Sequence, residues 1–106
     1  MVDPELDALK KEFLAEARDK VREIETQLDS ERSPQNLERM TYLAHQLKGS
    51  GGSYGFERIS TDAAELEKTI ELRAKAGVQP GMDDKIQQHV FNLRAEVDRG
   101  VKELGN

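Results

Sequence analysis

The sequence contains no cysteine among its 106 residues. Disulfides and thiolate metal sites are therefore excluded, which agrees with a reducing compartment. The sequence also lacks an apolar run long enough to span a bilayer, and its start, MVDPELDALKK, lacks the hydrophobic segment of a secretory signal. From these absences we expect a cytoplasmic protein that makes no use of a membrane.

Basic residues are in the minority, with 16 Lys and Arg against 21 Asp and Glu, for a net charge of −5. No dense basic run is present, so we expect no binding to nucleic acid. The phosphate-binding motif G-x-x-x-x-G-K-[ST] is absent as well, and the chain offers no other nucleotide-binding motif. The length and composition describe one small globular domain over residues 1–106.

Helical periodicity extends over nearly the whole chain, and no segment shows the alternation of a strand. Asp3-Pro4 and Ser33-Pro34 each combine an N-cap residue with proline at the first helical position, and Gly77 suits a left-handed helix C-cap. Helices joined by short loops favour an all-α fold, an antiparallel up-down four-helix bundle, which we expect to be monomeric. The predicted helices cover about 4–29, 34–54, 57–76 and 82–104.

Each predicted helix has an apolar face whose residues advance by three or four positions, and these faces form the predicted core. In the first helix they are Leu6, Leu9, Phe13, Ala17, Val21, Ile24 and Leu28. In the second they are Leu37, Met40, Ala44, Leu47, Gly51 and Tyr54. The third has Ile59, Ala63, Leu66, Ile70 and Ala74, and the fourth has Met82, Ile86, Val90, Leu93, Val97, Val101 and Leu104.

The stretch AHQLKGSGGSYGF, residues 44–56, places a histidine and a lysine beside four glycines. Each glycine inside a helix costs about 1 kcal/mol relative to alanine, so stability alone does not explain the stretch. His45 falls at the edge of the apolar face, in contact with water. Lys48, Gly49 and Gly52 follow it by three, four and seven positions and share its side of the helix.

An exposed imidazole can act as a nucleophile through one ring nitrogen if a hydrogen bond holds the other. Phosphoryl transfer fits this arrangement best, because Lys48 can neutralise a phosphoryl group on the ring and the glycines leave backbone open to a partner. The alternative is a surface histidine without chemistry, beside glycines that end the helix and begin a loop.

The segment His45-Gln46-Leu47-Lys48-Gly49-Ser50, preceded by Ala44 and followed by Gly55, resembles the H-x-x-K-G-S motif of histidine-containing phosphotransfer domains. FLAEARDKVREIETQL and GFERISTDAAELEK are similar to the phosphotransfer domains at the front of chemotaxis histidine kinases, so the resemblance covers the whole chain. One departure is Gly51, where the family usually has serine or alanine. This glycine leaves the end of the second helix open.

In the chemotaxis subgroup a glutamate on the neighbouring helix bonds to the histidine that becomes phosphorylated, and the matching position is Glu67. The register supports this assignment, because Glu67 follows Leu66 as His45 follows Ala44. A carboxylate holding the proton on Nδ1 would leave Nε2 as the nucleophile. Around His45, we expect Thr41, Gly49 and Gly52 to form the docking surface for a partner.

The resemblance implies a phosphorelay intermediate, a carrier rather than an enzyme. His45 would accept a phosphoryl group from a phosphoaspartate or a histidine kinase and donate it to an aspartate of a response-regulator receiver domain. No cofactor is expected on this chain, and Mg²⁺ is expected on the partner. His89 has no nearby glycine gap or lysine, so we expect a structural role for it, and two histidines on different helices are a poor metal site.

Two alternatives stay open at this point. The first alternative, second to the relay intermediate, is the excised phosphotransfer domain of a chemotaxis-type histidine kinase, phosphorylated by a separate ATP-binding catalytic domain. A helical binding module without chemistry is the other alternative, in which the glycine face docks a partner helix.

Overall fold

The computed structural model describes residues 3–105, and every regular element in that range is a helix. The helices are α1 (Pro4–Leu28), α2 (Pro34–Ser53), α3 (Glu57–Ala76) and α4 (Met82–Glu103). The four predicted helices are confirmed, and each predicted boundary lies within one residue of the observed one.

The first two helices begin at the predicted caps. Asp3 Oδ1 accepts hydrogen bonds from the backbone N–H groups of Glu5 and Leu6 at 3.0 and 3.2 Å. Ser33 Oγ accepts one from Asn36 N at 3.1 Å, so both helices start with a satisfied N–H group. Gly77 ends α3 with a positive φ of 74°, as expected for glycine, but its ψ of −159° lies outside the left-handed helical region.

The four helices form a bundle in which α2 packs on α1 and α3, and α4 packs on α3 and α1. The bundle measures 49 × 20 × 20 Å. Its core is made of apolar side chains from all four helices, and these are Phe13, Leu14, Ala17, Val21, Ile24, Leu37, Met40, Leu43, Ala44, Leu47, Ile59, Ala63, Leu66, Ile70, Ile86, Val90, Leu93 and Val97.

Three residues of the predicted core are exposed, namely Leu6, Leu9 and Ala74. Leu6 and Leu9 lie near the start of α1, where helical periodicity continues beyond the neighbouring helices, whereas Ala74 lines an open groove between α2 and α3. Phe13 marks this level in α1, because its ring stacks on Tyr54 and Phe56, which follow α2. The periodicity also omitted Leu14 and Leu43, which are fully or almost fully buried.

The glycine-rich stretch continues α2 as helix up to Ser53, which settles the end that Gly51 had left open. Gly51 is buried where α2 approaches the start of α3. A Cβ at this position would lie 3.1 Å from Ser60 N and 3.3 Å from Ile59 Cγ2. Ser60 Oγ also donates a hydrogen bond to the carbonyl of Lys48 at 2.8 Å. The close packing of α2 on α3 therefore favours a residue without a side chain at position 51.

Candidate functional site

His45 lies near the middle of α2, one position after the fully buried Ala44. About 100° of helical rotation separates neighbouring residues, which brings the imidazole from the core to the surface. Its side chain is 63% exposed. A partner molecule therefore has access to the ring without any rearrangement of the bundle.

Glu67 holds one nitrogen of this ring. It follows the buried Leu66 in α3, and its carboxylate Oε2 lies 2.8 Å from His45 Nδ1. The Glu67 side chain is only 13% exposed, so the packing of α2 against α3 keeps it in place. Because an ionised carboxylate only accepts hydrogen bonds, the contact assigns the proton of the neutral ring to Nδ1 and leaves a lone pair on Nε2.

Lys48 contacts the same carboxylate. Its Nζ lies 2.8 Å from Glu67 Oε1, so each oxygen of Glu67 has its own partner on α2. From the sequence, Lys48 was expected beside a phosphoryl group, but its ion pair with Glu67 was not predicted. The ion pair could have been predicted from helical spacing, because Lys48 lies one turn after His45 and Glu67 was already expected beside His45.

Burial acts to raise the pKa of Glu67, but hydrogen bonds from Lys48 and His45 outweigh this effect and hold the pKa below its ordinary value. Glu67 is therefore ionised at neutral pH. A charged acceptor makes a stronger hydrogen bond to the ring than a neutral acid would, and it also stabilises positive charge on the imidazole.

The glycines of α2 differ in what surrounds them. A Cβ at Gly49 would meet no atom within 4 Å, and a Cβ at Gly52 would meet only Ser60 Oγ, at an ordinary 3.5 Å. Neither residue has a positive φ, unlike Gly55 at 83°. Internal packing and backbone conformation thus explain Gly51 and Gly55, whereas they do not require glycine at 49 or 52.

Two grooves adjoin His45. The first, of about 700 Å³, lies between α2 and α3 and is lined by Thr41, Tyr42 and Glu67 among others. Thr41 is half-exposed and donates its hydroxyl to the carbonyl of Leu37 at 2.9 Å. Tyr42 is 50% exposed, and its hydroxyl accepts a hydrogen bond from Gln46 Nε2 at 2.7 Å. The exposed ring of Tyr42 was not predicted from the sequence as part of this surface.

The second groove, of about 490 Å³, lies on the other side of His45, between α1 and α2. Lys20 of α1 is part of its wall, together with Gly49, Ser50 and Ser53 of α2. Lys20 was not predicted either, because only the pairing of α1 with α2 brings it beside His45.

His89, the second histidine, is half-buried on α4, far along the chain from the glycines of α2. Within residues 3–105, no three His, Asp or Glu side chains are arranged to hold a metal ion. Across the same range, no helix is both long and apolar enough to cross a membrane.

Comparison with known proteins identifies a family for the chain. The family model described as Hpt domain matches residues 8–103, which includes all four helices except the first turn of α1. Searches of curated proteins and of solved structures gave no match. The matched segment covers essentially the whole chain and contains His45, Lys48 and Glu67. The chain therefore belongs to the Hpt domain family, which serves histidine phosphotransfer in two-component signalling.

Proposed function

We propose that the chain is a phosphorelay intermediate in which His45 Nε2 accepts a phosphoryl group and passes it to an aspartate of a response-regulator receiver domain. The observation behind this proposal is the 2.8 Å contact of Nδ1 with the ionised Glu67, on a ring that is 63% exposed. This contact leaves the nucleophilic lone pair on the nitrogen that a partner can approach.

In the proposed reaction the Nε2 lone pair attacks the phosphorus of a phosphoaspartate, or the γ-phosphorus of ATP bound to a kinase. The P–O bond of the donor breaks, and its electron pair leaves with the carboxylate or with ADP. The ring gains positive charge while Nδ1–H stays hydrogen-bonded to Glu67. In the onward step an aspartate oxygen of the receiver attacks phosphorus, the P–N bond breaks, and its electron pair returns to Nε2.

Lys48 has a different role in this proposal. In the free domain its ammonium group is paired with Glu67 at 2.8 Å, and its side chain is 39% exposed. A phosphoryl group on His45, three positions earlier, would bring negative charge to the same face of α2 and attract the ammonium group. Lys48 would therefore stabilise the phosphorylated state, whereas Glu67 prepares the free histidine.

The domain acts as a carrier in this proposal, and the partners supply the remaining chemistry. Mg²⁺ would be held by carboxylates of the receiver or kinase, and Thr41, Gly49 and Gly52 would face the docked partner. We place a monomer in the cytoplasm, because ATP-dependent kinases and receiver domains act there. Residues 1–106 would form a single phosphotransfer domain.

We also infer the antiparallel up-down order of the helices. Short loops join helices that pack on each other, which favours antiparallel neighbours. Contacts between α1 and α4 support this order, because Arg18 pairs with Asp98 while the later Glu25 pairs with the earlier Arg94.

The test is transfer of radiolabelled phosphate from cognate kinases and from phosphoramidate, a small donor that needs no docking. His45→Gln should abolish labelling without changing the circular dichroism spectrum. The matched control is His89→Gln, which should label like the wild type. Labelling that survives His45→Gln but not His89→Gln would contradict the proposal.

A second candidate is the phosphotransfer domain of a chemotaxis-type kinase, which the Glu67 contact favours, since that subgroup has a glutamate at this position. In this case a separate ATP-binding catalytic domain of such a kinase should label His45 directly. Labelling from phosphorylated receivers alone would favour the relay. Absence of acid-labile label with every donor would leave a helical binding module as the function.

A further inference from the structure

The groove between α1 and α2 lies on the side of His45 away from Glu67. Glu67 belongs to α3 and contacts Nδ1, and the two nitrogens lie on different edges of the ring. Nε2 is the ring nitrogen that Glu67 leaves free, and His45 also lines the groove between α1 and α2. A phosphoryl group on Nε2 would lie at the edge of this groove.

Lys20 is the cation of this groove. Two contacts show which part of α2 lies beside Lys20. Glu23 pairs with Arg39 on one side of it along the bundle axis, and Phe13 stacks on Tyr54, directly after α2, on the other. Lys20 lies between Phe13 and Glu23, and His45 lies between Arg39 and Tyr54. The same groove surface includes both Lys20 and His45, so the two residues lie at similar levels of the helix pair.

Lys20 is available to pair with a phosphoryl group on His45. Glu67 already contacts both Lys48 and His45, and its charge is balanced by that of Lys48 in the free domain. Lys20 is half-buried and, among the residues that the structure describes, takes part in no ion pair. A phosphoryl group adds about −1.5 to −2 charges at pH 7 and calls for more than one cation. A Cβ at Gly49 would meet no atom within 4 Å, so the backbone there leaves space for the phosphoryl group between the helices.

We propose that Lys20 contacts the phosphoryl group on His45 Nε2 from the α1 side, opposite to Lys48. The phosphoryl site is then formed by two helices, with α2 supplying the nucleophile and α1 the second cation. This inference rests on the proposed phosphorylation of His45. It adds a residue that belongs to no part of the H-x-x-K-G-S motif.

The test uses the full chain labelled with phosphoramidate. His45 Nε2 attacks phosphorus, the P–N bond of phosphoramidate breaks and ammonia leaves, so no partner protein or docking surface takes part. The pKa of the resulting phosphoryl group is then measured by ³¹P NMR titration. Lys20→Gln should raise this pKa by about half a pH unit and slow labelling roughly threefold, because a cation that is partly open to solvent stabilises the dianion modestly.

Lys10→Gln is the matched control, because Lys10 is a half-exposed lysine of α1 about 15 Å further along the helix. It should leave both quantities unchanged, and Lys20→Arg should restore them. Should Lys20→Gln fail to fold, the ¹³C signal of Lys20 Cε in the wild type replaces it, and this signal should move on labelling while that of Lys10 does not.

The outcomes separate the two proposals. Label on His45 with equal phosphoryl pKa values in Lys20→Gln and Lys10→Gln, or an unmoved Lys20 signal, would overturn the role of Lys20 and leave the relay intact. Failure of phosphoramidate and of every kinase to label His45 in the wild type would overturn the proposed function itself.

Discussion

Glu67 connects the two residues of the phosphotransfer motif, because one carboxylate accepts from His45 and from Lys48. Glu67 is expected to act on the free histidine, whereas Lys48 is expected to act on the phosphorylated one. Glu67→Ala removes the acceptor that holds the Nδ1 proton, so the ring should shift toward the tautomer protonated on Nε2, which has no lone pair for attack. We expect labelling by phosphoramidate to slow about tenfold or more, as for other orienting groups of functional histidines.

Nitrogen-15 shifts of the His45 ring measure this tautomer directly. Lys48→Ala should leave the tautomer in place, because Glu67 remains, and should instead shorten the lifetime of the phosphorylated domain. Glu71→Ala is the matched control, since Glu71 is an exposed carboxylate one turn further along α3. An unchanged tautomer in Glu67→Ala would remove Glu67 from the mechanism.

In helix α2, neighbouring glycines differ in whether the packing around them leaves room for a side chain. Gly52→Ala should stabilise the domain by up to about 1 kcal/mol, because the backbone there is helical and the new Cβ has room at 3.5 Å from Ser60 Oγ. Gly51→Ala should destabilise it, because its Cβ would lie 3.1 Å from the backbone nitrogen of Ser60. Urea unfolding of the two variants checks the opposite signs.

A larger side chain at position 52 of α2 tests whether this face of the helix docks a receiver. Gly52→Gln should leave the fold intact and still accept label from phosphoramidate, while transfer to a receiver falls by about a hundredfold if the side chain displaces the partner by about 1 Å. Equal transfer rates in Gly52→Gln and the wild type would show that glycine at 52 serves no docking function.

For the whole molecule, two acidic side chains make opposite contributions to the pH dependence of stability, namely Glu67 beside His45 and Asp62, which lines a separate groove between α3 and α4. Burial raises the pKa of Asp62, with a further contribution from the nearby Glu96. Its protonated form is therefore favoured in the folded state, and this contribution is lost as the pH rises from the ordinary value near 4 through the raised pKa. Glu67 has a lowered pKa, so its contribution is present above the ordinary value and is lost as the pH falls through the lowered one.

Asp62→Asn should accordingly stabilise the domain at pH 7, by no more than about 0.5 kcal/mol for so accessible a position, and the gain should shrink at pH 3. Urea midpoints at the two pH values measure it. Asp19→Asn, an exposed carboxylate of α1, should give no such gain. A loss of stability in Asp62→Asn at pH 7 would contradict the sign.

The sequence by itself determined the helices and the position of His45 at the edge of the apolar face of α2. Caps such as Asp3-Pro4 and Ser33-Pro34 act on N–H groups within the next three residues, so their effect is local and visible in the chain. The spacing of His45, Lys48 and Gly49 is local as well, because one helix sets it. Helical register even placed Glu67 at the correct level, since it follows Leu66 as His45 follows Ala44.

Only the tertiary structure decided which charged side chains form ion pairs and which glycines leave space for a Cβ. The bridge from Lys48 to Glu67, the position of Lys20 beside His45 and the tight contact of Gly51 with Ser60 all depend on the distance between neighbouring helices. The exposure of Leu6 and Leu9 likewise depends on where the neighbouring helix ends. Periodicity reports the direction of a side chain around its own helix, whereas these properties require the position of the next one.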